Sequence, residues 1–301
     1  MREKPPKHRW FDDPSLDTLL NPGSWSLISP YGAPDVPPLE RRAGRSRNPN
    51  DWHRHAGTDV MIVLGGNGRF GVEQCLYPAR AGTVFFVRGD QEHHKRYPPH
   101  IRALWISVLG DSALCWLASL GQAGALLKQT EPVTLGSAEL GLNLDQAMAA
   151  LNRSDLPARL LRVRALVLIQ TLVTGIVEWG YSNQAKEGRD RIQRQAVQAI
   201  MAHIRLTGGA GVTLDSLTHV SGYSKYYLHR LFKKHAGQTV GQYIDCCRRD
   251  MERDLLARGQ PRKAIAAVLG FSSPQAYSRW SHSARSPRGN VPRAGRPNAR
   301  T

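Results

Sequence analysis

The sequence predicts an α+β chain of several domains: a β-barrel or sandwich with a helical extension, then an all-α domain built from two helix-turn-helix units. Three observations predict it. Short apolar, β-branched segments separated by turn residues occupy roughly positions 40 to 109. Apolar residues at spacings of three and four take over after Asp111. The positive charge lies almost wholly at the C-terminal end: from Arg191 onward 19 Lys or Arg face 5 Asp or Glu, which accounts for +14 of the net +17. Such asymmetry points to a polyanion-binding domain attached to a nearly neutral one.

The elements follow in order. Residues 1–38 hold eight of the 19 prolines and little periodic pattern, and read as an irregular Pro-rich arm. Asp59 to Leu64, Thr83 to Val87 and Ile101 to Leu109 are strand candidates within a barrel spanning 39–115, and the Gly-Gly-Asn-Gly run at Gly65 to Gly68 reads as a turn. Residues 116–181 read as helical. Leu140 to Leu151 and Ala158 to Trp179 carry the periodic pattern, and the stripe Leu161, Ala165, Leu168, Leu172 and Ile176 serves either a core or a second copy of the chain. The polar stretch 182–190 is the expected linker. Residues 191–282 form the helix-turn-helix domain, and 283–301 a basic disordered tail with almost no apolar residues.

No run of about 18 apolar residues predicts a membrane span, and the N-terminal residues lack the apolar stretch of a secretory signal. Cys75, Cys115, Cys246 and Cys247 show neither a CxxC pair nor zinc-finger spacing. A cytoplasmic location with idle thiols is expected.

The most informative segment is Leu214 to Lys234. Leu214, Leu217 and Val220 keep helical spacing until Gly222 breaks it, Ser224 offers an N-cap, and Leu228, Leu231 and Phe232 begin a new apolar face. Lys225, Tyr226, His229, Arg230, Lys233 and Lys234 lie between those apolar positions, and they are phosphate-binding and base-reading residue types. Turn chemistry, cap and charge together favour a DNA-reading unit over a plain helical hairpin with a basic solvated face.

This segment resembles the first helix-turn-helix of the AraC/XylS family of transcription regulators. Leu-x-x-Leu, Gly-Tyr-Ser, Leu-x-Arg-x-Phe-Lys and Gly237 are all present, with Thr218 in place of a usual Ala. Gln242 to Ile244 matches the start of the family's joining helix. Ile265, Ala266, Leu269, Gly270 and Phe271, then Tyr277, Ser278 and Arg279, match the second unit. Departures are concentrated there: Glu252 replaces a small apolar residue, Arg262 an apolar one, and Ser281 a core Phe beside Trp280. The resemblance implies base contacts from Tyr226, His229 and Arg230. Phosphate contacts would come from Lys225, Lys233 and Lys234, and Gln275 and Arg279 would be the second-unit counterparts. A hydroxyl at Ser281, buried without a partner, would cost about 1–3 kcal/mol, so the second unit is expected to contribute less than the first.

Upstream, Trp52 to Asp59 followed by Gly66, and Gly82 to His93, resemble the two cupin motifs, with Asp in place of the usual Glu and Arg88-Gly89-Asp90 in place of Pro-x-Gly. The resemblance implies a cupin-like, jelly-roll sensor barrel with His53, His55, Asp59 and His93 at ligand-binding positions, and Trp105 is a further candidate for stacking on an effector. Those three histidines and the carboxylate would also suit a divalent metal, although no cofactor is expected. The expected function is sequence-specific DNA binding by a transcription regulator, without enzymatic activity, controlled by a small-molecule effector such as a sugar or related metabolite. Expected partners are an operator duplex, a second copy of the chain and, for an activator, RNA polymerase, with no membrane. A metal-dependent cupin enzyme carrying a DNA-binding appendage is the alternative. The alkyl-transfer repair regulators need a Pro-Cys-His-Arg setting that is absent here.

Overall fold

The computed structural model describes residues 11–41, 52–54, 57–94, 101–121, 126–130, 132–182 and 189–283. Its first element is helix α1 (Asp13–Leu20), capped by Asp12, whose carboxylate accepts from the Ser15 amide at 3.1 Å. The strands are β1 (Ser26–Ile28), β2 (Glu40–Arg41), β3 (Trp52–His53), β4 (Thr58–Val72), β5 (Cys75–Arg80), β6 (Thr83–Val87), β7 (His93–His94), β8 (Ile101–Leu109), β9 (Ser112–Leu120), β10 (Leu126–Gln129) and β11 (Val133–Gly136). They join one sheet whose main path runs β1-β6-β4-β8-β9-β10, with β5 and β7 also on β4 and β11 on β9. The N-terminal domain is sheet-rich, but among the described residues the sheet does not close into a barrel.

The side-chain alternation of β4 organises two cores. Met61 and Val63 face Phe70, Phe85, Trp105 and Trp116 on one side. Val60, Ile62 and Leu64 face Trp25, Phe86, Leu104 and Ile106 on the other. The long helix α4 (Ala158–Ser182) covers the second side. Its Leu161, Ala165, Leu168, Leu172 and Ile176 are all buried, and full burial of each Leu or Ile contributes about 1.5–3 kcal/mol. By length and composition alone Ala158–Tyr181 is apolar enough to cross a membrane, as the core helix of a folded domain can also be. Its buried stripe is nonetheless part of the core beneath the sheet.

Three expectations are corrected. The arm is not wholly irregular: α1 and β1 lie within it, and Trp25, Leu27 and Tyr31 are buried. β1 pairs in parallel with β6, a long-range contact that no local periodicity reveals. The run at Gly65 to Gly68 is no turn. It lies inside β4, where the pairing with β8 shifts register between Val63 and Gly65. The reversal comes at Glu73 and Gln74, both at positive φ, +48° and +62°, as a two-residue hairpin of primed type demands. The region after Cys115 also begins as strand: β9 to β11 precede the helices α2 (Ser137–Leu140) and α3 (Leu144–Leu151).

Among the described residues, the elements from Arg189 to Ser283 are all helices: α5 (Arg189–Leu206), α6 (Leu214–Ser221), α7 (Lys225–Ala236), α8 (Val240–Ala257), α9 (Arg262–Val268) and α10 (Pro274–Ser283). The helix-turn-helix boundaries fall where the sequence places them. Gly222 ends α6 at φ +68°, a conformation that costs glycine no Cβ clash. Ser224 caps α7 by accepting from the Tyr227 amide, and Thr239 caps α8 in a reciprocal pair with Gln242. α5 packs on β8, β9 and β11, so one continuous core joins the sheet to the first helix-turn-helix. The expected linker lies mostly outside the described residues, between the end of α4 and the start of α5, as does the expected tail beyond Ser283.

Candidate nucleic-acid interface and effector site

The buried face of α7 consists of Leu228, Leu231 and Phe232, packed with Leu217 and Val220 of α6 and Ala196 and Ile200 of α5. That packing leaves Lys225, Tyr226, His229, Arg230, Lys233 and Lys234 exposed. Tyr226 is 80% exposed, which is far from the ordinary burial of a tyrosine. The Arg230 guanidinium lies over the Tyr227 ring, 4.9 Å from its centroid. The Tyr227 hydroxyl accepts from Gln193 Nε2 of α5 at 2.6 Å. Two lysines carry acidic partners: Lys225 pairs with Asp215 of α6, and Lys234 with Asp190 of α5. The Lys234 ammonium holds the Asp190 carboxyl below its usual range. Exposed pairs of this kind contribute little to stability, so phosphate oxygens can replace the carboxylates at small cost.

In the second unit Gln275 and Arg279 are exposed one turn apart on α10. The expectation of an unpartnered hydroxyl at Ser281 is overturned. Ser281 Oγ donates to Glu252 Oε1 at 2.7 Å, and the Tyr277 hydroxyl donates to the same oxygen at 2.7 Å. Trp280 Nε1 donates to Asp245, which also receives Arg249 at 2.8 Å, and the Arg249 guanidinium sits 4.9 Å from the Trp280 ring centroid. Beneath this network Tyr277 packs with Ile265, Ala266 and Leu269, supported by Met251 and Phe271. The second unit therefore has its own core. None of these pairings was visible in the sequence, where Glu252 and Ser281 stood out only as departures from a pattern.

The sheet-rich domain places the other candidates as follows. Asp59 is 3% exposed and accepts from Ser107 Oγ at 2.5 Å. His93 is fully buried, its Nδ1 hydrogen-bonded to the Gln91 carbonyl at 3.2 Å. Trp105 is stacked on Trp116 with centroids 6.2 Å apart. Phe70 links two of them, with its ring 6.2 Å from both His93 and Trp105. The backbone register sets His53 opposite His93 across β3 and β7. The His53 side chain and all of His55 lie outside the described residues. Among the described residues no group of three or more His, Cys, Asp or Glu could hold a metal.

An open cleft of about 460 Å³ lies elsewhere, lined by Thr58, Arg88, Asp90, Asp145, Met148 and Asn152 among others. Arg88 forms a two-bonded pair with Asp90, at 3.0 and 2.8 Å, which holds the Asp90 carboxyl below its usual range. The cleft also includes Gly57 and Gly110, where added Cβ atoms would lie 3.9 Å from Val220 and 2.5 Å from Leu206. It thus borders the contact between the two domains. No local motif signals this cleft, because its residues come from β4, β8, α3 and the loop after β6.

Residues 36–168 match the family model of an AraC-like ligand binding domain, and residues 217–284 that of a helix-turn-helix domain. The probable transcription factor PqrA of Proteus vulgaris is 35% identical over 77 residues, 25% of this chain and 62% of its own length, so the chain spans less than two thirds of that relative. The HTH-type transcriptional activator RhaS of Pectobacterium carotovorum is 24% identical over 233 residues, 75% of this chain and 81% of its own. The regulatory protein SoxS of Salmonella typhimurium is 33% identical over 87 residues, 29% of this chain and 81% of its own. With a sheet-rich domain that matches an AraC-like ligand binding domain ahead of two helix-turn-helix units, the chain belongs to the AraC/XylS family of DNA-binding transcription regulators.

Proposed function

We propose that the chain is a cytoplasmic regulator that binds an operator duplex sequence-specifically and answers to a small polar metabolite held by its sheet-rich domain. The observation that carries this reading is the exposed set on α7: six basic, aromatic or imidazole side chains on a helix whose opposite face is locked into the core. Tyr226, His229 and Arg230 would read base edges, while Lys225, Lys233 and Lys234 hold phosphates. Gln275 and Arg279 would do the same from α10.

Effector binding must favour one arrangement of the two domains over another, because equal affinity for both would shift nothing. Asp59, His93 and Trp105, with His53 and His55, are the proposed effector residues, and with three of them buried the ligand would sit within the sheet domain. Leu160, Val163 and Val167 stand 41%, 52% and 59% exposed at spacings of three and four on α4. That stripe supports pairing of two copies. An activating role would add RNA polymerase as a partner.

The test is fluorescence anisotropy on an operator selected by the protein itself, with a scrambled duplex as control. The reading predicts at least about a thousandfold preference, the lower end of the usual span for specific over non-specific binding. Equal affinity for both duplexes would contradict it. A thermal-shift panel of sugars and aromatic acids would then identify the effector class.

A further inference from the structure

Three charged side chains of α8 and three aromatic or hydroxyl side chains of α10 answer one another. Asp245, Arg249 and Glu252 recur at helical spacing on one face of α8, and Tyr277, Trp280 and Ser281 on one face of α10. Glu252 Oε1 receives two hydroxyls, one turn apart on α10, each at 2.7 Å. Asp245 receives the Trp280 indole and the Arg249 guanidinium together. Successive residues of a helix are about 100° apart, so Tyr277 and Ser281 held to one oxygen fix how α10 is rolled about its axis. Gln275 and Arg279 lie on the opposite side of α10 from Tyr277 and are exposed.

We propose that Glu252 and Asp245 are positioning residues for DNA reading, which set the roll of α10 and thereby aim Gln275 and Arg279 at the base edges. The inference rests on the reading that those two residues contact DNA. Electrostatics gives it a discriminating sign. Carboxylates in a DNA-binding domain repel phosphates, so deleting one should tighten binding if charge is its only influence. A positioning carboxylate behaves in the opposite way. Its loss leaves a correct side chain misaimed, and specific binding weakens although net positive charge has risen.

The experiment measures operator and random-duplex affinities for full-length wild type, Glu252→Ala, Glu252→Gln, Arg279→Ala and the Glu252→Ala/Arg279→Ala double variant. Glu252→Ala should weaken operator binding about tenfold, as coupled neighbours do, and leave random-duplex binding equal or tighter. Glu252→Gln keeps an acceptor oxygen for the two hydroxyls and should stay near wild type. In the Arg279→Ala background Glu252→Ala should cost nothing further, because the residue it aims is gone.

Operator binding by Glu252→Ala that equals or exceeds wild type, or a full additive loss in the double variant, would overturn the proposal while leaving base reading by Arg279 intact. No loss in Arg279→Ala alone would overturn the reading beneath it and the proposal with it. Should Glu252→Ala fail to fold, Tyr277→Phe and Ser281→Ala each remove one donor. Both should lower operator affinity without changing random-duplex affinity, and unchanged operator affinity in both would count against positioning.

Discussion

The Arg230 guanidinium rests on the face of Tyr227, 4.9 Å from the ring centroid, and Tyr227 is itself tied to α5 through Gln193. A long, rotamer-rich side chain on the exposed face of α7 is thus partly ordered before any duplex arrives, which lowers the entropy lost on binding.

Arg230→Ala and His229→Ala should therefore reduce discrimination between operator and random DNA, with Arg230→Ala losing about 1–3 kcal/mol of specific binding. Lys233→Ala should weaken both duplexes about equally, because phosphate contacts carry no sequence information. Paired titrations on the two duplexes separate these outcomes. Unchanged discrimination in all three variants would remove α7 from the recognition account.

Operator affinity should fall steeply with salt. A contact set of about six phosphates releases enough counterions to lose about three orders of magnitude between 50 and 200 mM salt. Lys234→Ala should make the slope shallower by about one unit, after release of the Asp190 pair. A flat salt response would argue against a phosphate-tracking surface.

The exposed stripe of α4 predicts the assembly state. Val163→Asp with Val167→Asp puts two charges where an interface between copies would be desolvated, and unpaired buried charge is strongly disfavoured. Sedimentation velocity should show a dimer for the wild type and a monomer for the double variant. Both residues are already more than half exposed, so the monomer should keep its fold.

Asp59→Asn tests the interior of the sheet-rich domain with little structural cost. The amide oxygen still accepts the Ser107 hydroxyl, whereas the charge is lost. Thermal stability should stay within a few degrees, because one neutralised but still bonded group changes stability by about 1 kcal/mol. The effector-induced shift in operator affinity should disappear. A normal effector response would move the ligand away from Asp59, and the cleft at Arg88 and Asp145 would be the next place to look.

Local chemistry made some elements legible and hid others. Gly222 and Ser224 announce the turn between α6 and α7 because a left-handed residue and an N-cap are properties of single positions. β9 was hidden because it is buried on both faces from Ala113 to Ala118, and such a run carries no alternation to distinguish it from helix. The Glu73–Gln74 hairpin lacks the glycine or asparagine that usually marks its conformation. The candidate site divides in the same way. The exposed face of α7 follows from its apolar periodicity, whereas the bonds of Glu252 to Tyr277 and Ser281 span 25 and 29 residues and depend on tertiary packing. Seen singly, Glu252 and Ser281 are faults in a pattern; paired, they satisfy each other.

The most direct test is selection of duplexes from a random pool by the full-length wild type, Arg230→Ala and Arg279→Ala. On the proposal that each helix-turn-helix unit reads bases, the wild type should enrich two short sequence blocks. Arg230→Ala should lose information at positions in one block and Arg279→Ala in the other, since each base-contacting side chain governs its own step of the site. A wild type that enriches no sequence, or variants that enrich the wild-type sequence unchanged, would contradict the account.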